Sequence, residues 1–203
     1  MRPAVFLDRD GTVIEQVHHL TDPGDVRLIH GAAEAIRMLR SRGYACVVVT
    51  NQSVIGRGML TLEGLEHVHS EMRAQLAKEQ ASLDAIYYCP YVPTVEDQAI
   101  VEHPDRKPGP GMLVRAARDL DLALDRSWMV GDSVGDLLAG RNACCKATVL
   151  VRTGYGGGVP QDHHAVDYTA ANLLEAARLI INSDAQAFES TDGSSSSVCK
   201  GND

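Results

Sequence analysis

The sequence of 203 residues has few aromatic side chains, no surplus of basic residues and no long apolar run. Aromatic residues make up 4% of the chain, so its core must be mostly aliphatic. The formal net charge of −8 argues against non-specific nucleic-acid binding, which needs a basic face. No segment approaches the roughly 20 consecutive apolar residues that span a bilayer. We therefore expect neither a nucleic-acid nor a membrane partner.

The five cysteines are odd in number and lack the regular spacing of a disulfide framework. We therefore expect them to be reduced thiols. The first apolar run begins too early to leave room for a signal peptide, so we expect a cytoplasmic protein. The length suits one domain over residues 1–182. From Ser183 onward Ser, Asp and Gly dominate, so 183–203 is expected to be a disordered tail. A monomer is the default expectation.

Short apolar runs alternate with segments of helical spacing along the chain. Buried strands are predicted at Val5–Leu7, Ala45–Val49, Trp128–Val130 and Thr148–Val151, and a weaker one at Leu83–Cys89. Between them, apolar residues recur every three or four positions, as in amphipathic helices. This alternation predicts an α/β fold, doubly wound, with a mostly parallel sheet flanked by helices on both faces.

Three of these strands are followed by polar side chains. Asp8 and Asp10 come directly after the first strand, Thr50 and Asn51 after the second, and Asp132 and Asp136 after the fourth. Because the carboxyl ends of parallel strands share one edge of the sheet, these side chains should converge. Carboxylates gathered in this way suit Mg²⁺, which prefers oxygen ligands.

Such a site has the groups needed for phosphoryl transfer. One carboxylate can attack phosphorus, while a second can protonate the leaving oxygen and later activate water. Thr50 and Asn51 offer hydrogen bonds to the transferred group, Lys107 a point charge and Arg106 a fork that fits phosphate. A non-catalytic phosphosugar-binding protein is the alternative from another class, but binding alone does not require paired carboxylates.

The order of these motifs resembles a known superfamily. Asp8-Arg9-Asp10-Gly11-Thr12, Thr50-Asn51-Gln52-Ser53, Arg106-Lys107-Pro108 and Gly131-Asp132 are similar to the four ordered motifs of the haloacid dehalogenase superfamily. The resemblance covers about residues 3 to 182 and implies a Rossmann-like domain with a minimal cap. Three further segments, 47–53, 86–90 and 150–154, resemble one branch of this superfamily, the heptose bisphosphate phosphatases. The histidinol-phosphate phosphatases are near relatives of that branch.

This resemblance implies a role for each matching residue. Asp8 would be the nucleophile and Asp10 the general acid and base. Mg²⁺ would be held by Asp8, the backbone carbonyl of Asp10 and Asp132, while Thr50 and Lys107 would stabilise the phosphoryl group. The substrate would contact the remaining pocket residues, which are Gln16, Val17, His18, His19, Asn51, Gln52, Ser53 and Arg106, together with Lys107.

The sequence departs from the superfamily branch in one loop. Relatives often carry a structural zinc site just before the Arg-Lys-Pro motif, and the corresponding positions here are Cys89, Tyr91, His103 and Asp105. Tyrosine is a poor zinc ligand, and a structural site needs four nitrogen or sulfur donors, so zinc is not expected. The implied substrate is the 7-phosphate of a heptose 1,7-bisphosphate, in the synthesis of a lipopolysaccharide precursor. Histidinol phosphate or another small phosphomonoester is the alternative.

Overall fold

A single six-stranded sheet forms the centre of the molecule. The computed structural model describes the backbone of residues 1–192 and the side chains of residues 1–186. The strands are β1 Ala4–Leu7, β2 Ala45–Asn51, β3 Ala85–Cys89, β4 Trp128–Gly131, β5 Ala147–Val151 and β6 Tyr168–Ala170. Their spatial order is β3-β2-β1-β4-β5-β6, and every neighbouring pair is parallel. The predicted α/β fold with a parallel sheet is confirmed.

Helices connect the strands and cover both faces of the sheet. They are α1 Ala32–Ser41, α2 Ser53–Gly56, α3 Leu62–Lys78, α4 Gly111–Leu120, α5 Val134–Asn142 and α6 Leu173–Asp192. Short 3₁₀ turns lie at Pro23–Asp25, Leu124–Arg126 and Gly156–Gly158. Among the described helices, none has the length and apolar character needed to cross a membrane.

The side chains of β1 show why helices cover both faces of the sheet. Val5 and Leu7 point to one face and pack in a core with residues of α1, α3 and α6, whereas Ala4 and Phe6 point to the other face, toward α4 and α5. All four are fully buried. Successive side chains of a strand alternate between faces, so a continuous apolar run is stable only when helices cover both sides.

The last helix extends beyond the domain boundary that the sequence predicts. α6 continues past residue 182 to Asp192, so that boundary falls inside a helix. The composition of Ser183 and Asp184 suggests a tail, but Asp184 is tied to the domain. Its carboxylate accepts a hydrogen bond from the Tyr44 hydroxyl and lies 2.5 Å from Lys146 Nζ. The rest of the expected tail, 193–203, lies outside the described residues.

The strand order places a crevice beside β1. Strand connections run in opposite directions on either side of β1 and β4, and ligands of such sheets bind outside the carboxyl ends at this switch point. The segments that overhang this edge are the loop after β1 (8–31) and the loop after β3 (90–110). Within the described chain, these loops take the place of a cap domain.

Candidate active site

A cleft of about 550 Å³ opens at the carboxyl edge of the sheet, where the strand ends predict a site. Its floor is formed by side chains at the ends of β1, β2 and β4, at the start of α5 and in the loop after β3. These are Asp8, Asp10, Thr50, Lys107, Asp132 and Asp136. The polar clusters that follow three separate strands therefore converge, as the sequence predicts.

Lys107 lies at the centre of this floor between two carboxylates. Its Nζ atom is 2.5 Å from Asp8 Oδ1, 2.6 Å from Asp136 Oδ1 and 2.8 Å from the carbonyl oxygen of Val49. Burial by itself lowers the pKa of Lys107, but the charges of Asp136 and Asp8 outweigh it and raise the pKa overall. The side chain is therefore a buried, charged ammonium group.

The carboxylates outnumber the cations on the floor. Burial, followed by the charge of Asp136, raises the pKa of Asp8 well above its usual range. The same two causes raise the pKa of Asp132 to about 7. When all of these groups are ionised, Asp8, Asp132 and Asp136 face Lys107 with two negative charges left over.

This donor set fits a divalent cation. Carboxylate oxygens of Asp8, Asp132 and Asp136 lie within 4.8 Å of one another, and this is the one group of potential metal ligands found among the described residues. Hard oxygen donors and two surplus negative charges match the requirements of Mg²⁺. The Asp10 carboxylate is not part of this group and is bonded to Arg9 and Gln52, so a contribution from Asp10 would come from its backbone carbonyl, as the resemblance implies.

Asp136 belongs to one of the strand-end clusters that the sequence predicts to converge, but the sequence assigns it no catalytic, substrate-binding or metal role. It lies in the first turn of α5, where its Oδ2 atom accepts hydrogen bonds from the backbone nitrogen (3.0 Å) and the hydroxyl (2.7 Å) of Ser133. This is a capping box, in which two side chains satisfy the free N–H groups of a helix start. Because α5 begins two residues after Asp132, its first turn brings Asp136 back toward the end of β4.

Two glycines make room for Asp132. A Cβ atom on Gly11 would lie 2.2 Å from Asp132 Oδ2, and one on Gly154 would lie 2.0 Å from the same atom. Both glycines have positive φ, +77° and +56°. The oxygen also accepts a hydrogen bond from the backbone nitrogen of Tyr155 at 2.7 Å, which fixes the orientation of the carboxylate.

Asp10 has a separate set of partners. Arg9 donates to both of its oxygens, from Nε to Oδ2 at 3.0 Å and from Nη2 to Oδ1 at 3.1 Å. Gln52 donates from Nε2 to Asp10 Oδ2 at 3.1 Å and to Thr50 Oγ1 at 2.9 Å. The two aspartates of the motif thus each contact a different buried cation.

Asn51 lines the cleft but supports the lysine. Its Oδ1 atom accepts a hydrogen bond from the backbone nitrogen of Lys107 at 3.1 Å, and its Nδ2 atom donates to the Lys107 carbonyl at 3.2 Å. The predicted role of Asn51 was contact with the substrate. The structure shows in addition that its amide anchors the segment that presents Lys107.

The rim of the cleft is built from loops. Of the predicted pocket residues, Gln16, Val17, His19, Ser53 and Arg106 line it, whereas His18 does not. The His18 ring instead packs at a tilt against the His19 ring, with centroids 3.9 Å apart. Arg106 donates from Nη1 to the carbonyl of Tyr91 at 3.1 Å. Sequence reasoning missed several rim residues that belong to no motif, namely Arg57, 93–98, Ile100, Glu102 and Tyr155.

The four positions that the resemblance compares with a zinc loop lie close together, but their side chains make other contacts. Cys89 Sγ is 4.0 Å from His103 Nδ1, which accepts a hydrogen bond from the backbone nitrogen of Asp105. Tyr91 stacks on the His103 ring with centroids 5.1 Å apart, and Asp105 forms an ion pair with Arg115 at 2.6 Å. That this loop does without zinc stays a prediction.

A parallel sheet in this order, with paired aspartates after β1 and a lysine between buried carboxylates, defines a hydrolase of the haloacid dehalogenase type. A family model described as HAD-hydrolase-like matches residues 105–176. The chain is 39% identical over 188 residues to D-glycero-D-manno-heptose-1,7-bisphosphate 7-phosphatase of Thermosynechococcus vestitus, covering 88% of this chain and 95% of that protein. It is 38% identical to D-glycero-beta-D-manno-heptose-1,7-bisphosphate 7-phosphatase of Escherichia coli K12, covering 88% and 93%.

Solved structures agree with these sequence relatives. The D,D-heptose 1,7-bisphosphate phosphatase of B. bronchiseptica, crystallised with magnesium and phosphate, aligns with a TM-score of 0.78 at 30% identity, covering 89% of this chain and 99% of that one. The chain belongs to the family of the heptose-1,7-bisphosphate 7-phosphatases within the haloacid dehalogenase superfamily. It is an enzyme, a phosphoric monoester hydrolase, and the alternative of a non-catalytic binding protein is set aside.

Proposed function

We propose that the enzyme is a Mg²⁺-dependent phosphatase that removes the 7-phosphate of D-glycero-D-manno-heptose 1,7-bisphosphate through an aspartyl-phosphate on Asp8. The observation that carries the mechanism is the pairing of Asp8 with Lys107 on the floor of the cleft, with Asp10 two residues further on. The substrate is supported by the names of relatives that cover almost the whole domain.

In the first half-reaction, Asp8 attacks phosphorus and the P–O ester bond breaks. Lys107 engages Asp8 Oδ1 at 2.5 Å, which leaves Oδ2 as the attacking atom. Asp10 gives its proton to the leaving oxygen of the sugar. Lys107 and Thr50 are placed to compensate charge on the phosphoryl oxygens, which is the main need of such a transition state.

In the second half-reaction, Asp10 takes a proton from water as the water attacks phosphorus. The bond between phosphorus and Asp8 breaks, inorganic phosphate leaves and both carboxyl groups return to their starting states. Mg²⁺, held by Asp8, Asp132 and the Asp10 carbonyl, would neutralise negative charge on the phosphoryl group. Asp136 would contribute by orienting Lys107, since both of its oxygens already have protein partners.

The cleft also suits the second phosphate of a bisphosphate. Arg57 and Arg106 both line it and belong to the loops rather than the floor. Burial and, to a smaller extent, the positive charge of Arg57 lower the pKa of Arg106. A bound anion would relieve this repulsion. Glu96 and Asp97 line the same cleft and favour the second candidate, histidinol phosphate, whose ammonium group they would attract.

A kinetic comparison across phosphorylated metabolites tests the substrate. The panel contains both anomers of the heptose bisphosphate, histidinol phosphate and an aryl phosphate, each with Mg²⁺ and with a chelator. We expect kcat/KM for one heptose anomer to exceed that for histidinol phosphate by at least about tenfold, or ~1.4 kcal/mol. A higher value for histidinol phosphate would reverse the assignment. The expectations of a monomer and of a cytoplasmic location stay predictions.

A further inference from the structure

Gln52 connects three functional side chains on one side of the cleft. Its Oε1 atom accepts a hydrogen bond from Arg9 Nη2 at 2.9 Å. Its Nε2 atom donates to Asp10 Oδ2 at 3.1 Å and to Thr50 Oγ1 at 2.9 Å. A primary amide has two N–H donors, and both are used here. Gln52 therefore has no donor left for a substrate, although it belongs to the predicted pocket.

Arg9 is a buried cation directed at the same carboxylate. Only 1% of the residue is exposed, and its Nε and Nη2 atoms form a fork on the two oxygens of Asp10. Removing a charge from water costs several kcal/mol unless partners compensate for it. The carboxylate of Asp10 and the amide of Gln52 are those partners, while Nη1 has none in the described part of the chain.

The number of donors on Asp10 distinguishes its two oxygens. A carboxylate oxygen accepts about two hydrogen bonds. Oδ2 receives one from Arg9 and one from Gln52, so it is saturated, whereas Oδ1 receives one from Arg9 alone. A catalytic proton needs a free position on the carboxyl group, and only Oδ1 has one.

We propose that Arg9 and Gln52 are positioning residues for Asp10, and that together they assign the catalytic proton to its Oδ1 atom. The proposal rests on the proposed function, because it assumes that Asp10 is the general acid and base. In the first step, the proton on Oδ1 passes to the leaving oxygen as its bond to phosphorus breaks. In the second, Oδ1 takes a proton from the attacking water as the bond between Asp8 and phosphorus breaks.

The two half-reactions can be separated by the choice of ester, and this separation provides the test. An aryl phosphate with a very acidic phenol, such as 2,4-dinitrophenyl phosphate, needs no protonation of its leaving group, but hydrolysis of the aspartyl-phosphate still needs the base. We would measure Gln52→Met on this ester and on an alkyl phosphate that the wild type hydrolyses. Gln75→Met is the matched control, because Gln75 also holds three partners, Leu28, Val26 and Glu71, but lies away from the cleft.

We expect Gln52→Met to lower kcat on the alkyl ester about 10- to 100-fold with KM little changed, as for a displaced acid or base. On the dinitrophenyl ester it should give a burst of phenol equal to the enzyme concentration, followed by slow turnover. Gln75→Met should behave as wild type in both assays. Arg9→Lys, which keeps the charge but loses the fork, should show the same burst if it folds.

Three outcomes for Gln52→Met would overturn the proposal. A rise in KM at constant kcat would make Gln52 a substrate contact. A loss of both burst and turnover would place its effect on Asp8 or the phosphoryl site, and unchanged kinetics would remove the role altogether. If the wild type hydrolyses aryl phosphate but not the heptose bisphosphate, the substrate assignment fails while this test still stands. If wild type hydrolyses no ester, the proposed function itself fails.

Discussion

Asp8 and Asp10 are two residues apart, yet their surroundings differ in every respect that matters for chemistry. Asp8 is buried among other carboxylates and shares the cation of Lys107 with Asp136. Asp10 is partly buried, and both of its oxygens accept hydrogen bonds from Arg9, with Gln52 as an additional donor. A crowded, charge-rich pocket suits a metal-assisted nucleophile, whereas an isolated and oriented carboxyl group suits proton transfer. In the proposed mechanism, two identical side chains therefore acquire different functions through their partners.

Removal of Asp8, the proposed nucleophile, should have the largest effect on this pair. Asp8→Asn keeps the volume of the side chain but cannot form the acyl-phosphate, so we expect steady-state turnover to fall at least about 10⁴-fold. The melting temperature should not fall, because the substitution removes one of three repelling buried carboxylates while Asp136 still pairs with Lys107. Turnover close to wild type would show that Asp8 is not the nucleophile.

Removal of the Lys107 ammonium group beside Asp8 should have the second largest effect. Lys107→Met takes away the donor that lies between Asp8 and Asp136, and we expect kcat to fall about 10²- to 10³-fold, the usual range for one preorganised donor. Lys146→Met is the matched control, because Lys146 pairs with Asp184 away from the cleft. A Lys107 variant that keeps activity within threefold of the control would mean that the Asp8 side does not depend on this charge.

The smallest expected effect is a change in protein stability from His69, which lies near Arg9 on the Asp10 side of the site. Burial and then the charge of Arg9 lower the pKa of His69 from 6.5 to about 4. Because unfolding lets this histidine bind a proton, its neutral form contributes stability that is complete above pH 6.5 and is lost as the pH falls toward 4.

We therefore expect His69→Gln to flatten the pH dependence of the free energy of unfolding. Between pH 7 and pH 4, chemical denaturation should show a loss smaller than in wild type by up to about 3 kcal/mol. Equal losses in the two proteins would mean that the pKa of His69 is the same in the folded and unfolded states, in conflict with its burial near Arg9.

The floor of the cleft was largely readable from the sequence because its residues follow apolar runs or stand in short motifs. Asp8, Thr50 and Asp132 lie where strands end, and the sheet brings those ends together. The partner relations were not readable. Gln52 meets Arg9 across 43 residues of chain and Asn51 meets Lys107 across 56, so their roles as supports depend on the folded geometry.

Other parts escaped prediction for different physical reasons. β6 is a three-residue edge strand, Tyr168–Ala170, too short to stand out as an apolar run. α6 continues through Ser183 and Asp184, whose composition suggests a tail. The rim residues Arg57 and Glu102 belong to exposed loops. Loops lack the periodic pattern of helices and strands, so their sequence does not indicate which side chains face the cleft.

The division of labour between the two aspartates is tested most directly by trapping the intermediate. Asp10→Asn should still accept a phosphoryl group from 2,4-dinitrophenyl phosphate with Mg²⁺, because the phenol leaves without a proton, but should lose the base that activates water. Acid quenching followed by mass spectrometry of the intact protein should show one added phosphoryl group per chain, located on the peptide that contains Asp8. Absence of a phosphorylated enzyme while phenol is still released would contradict the account.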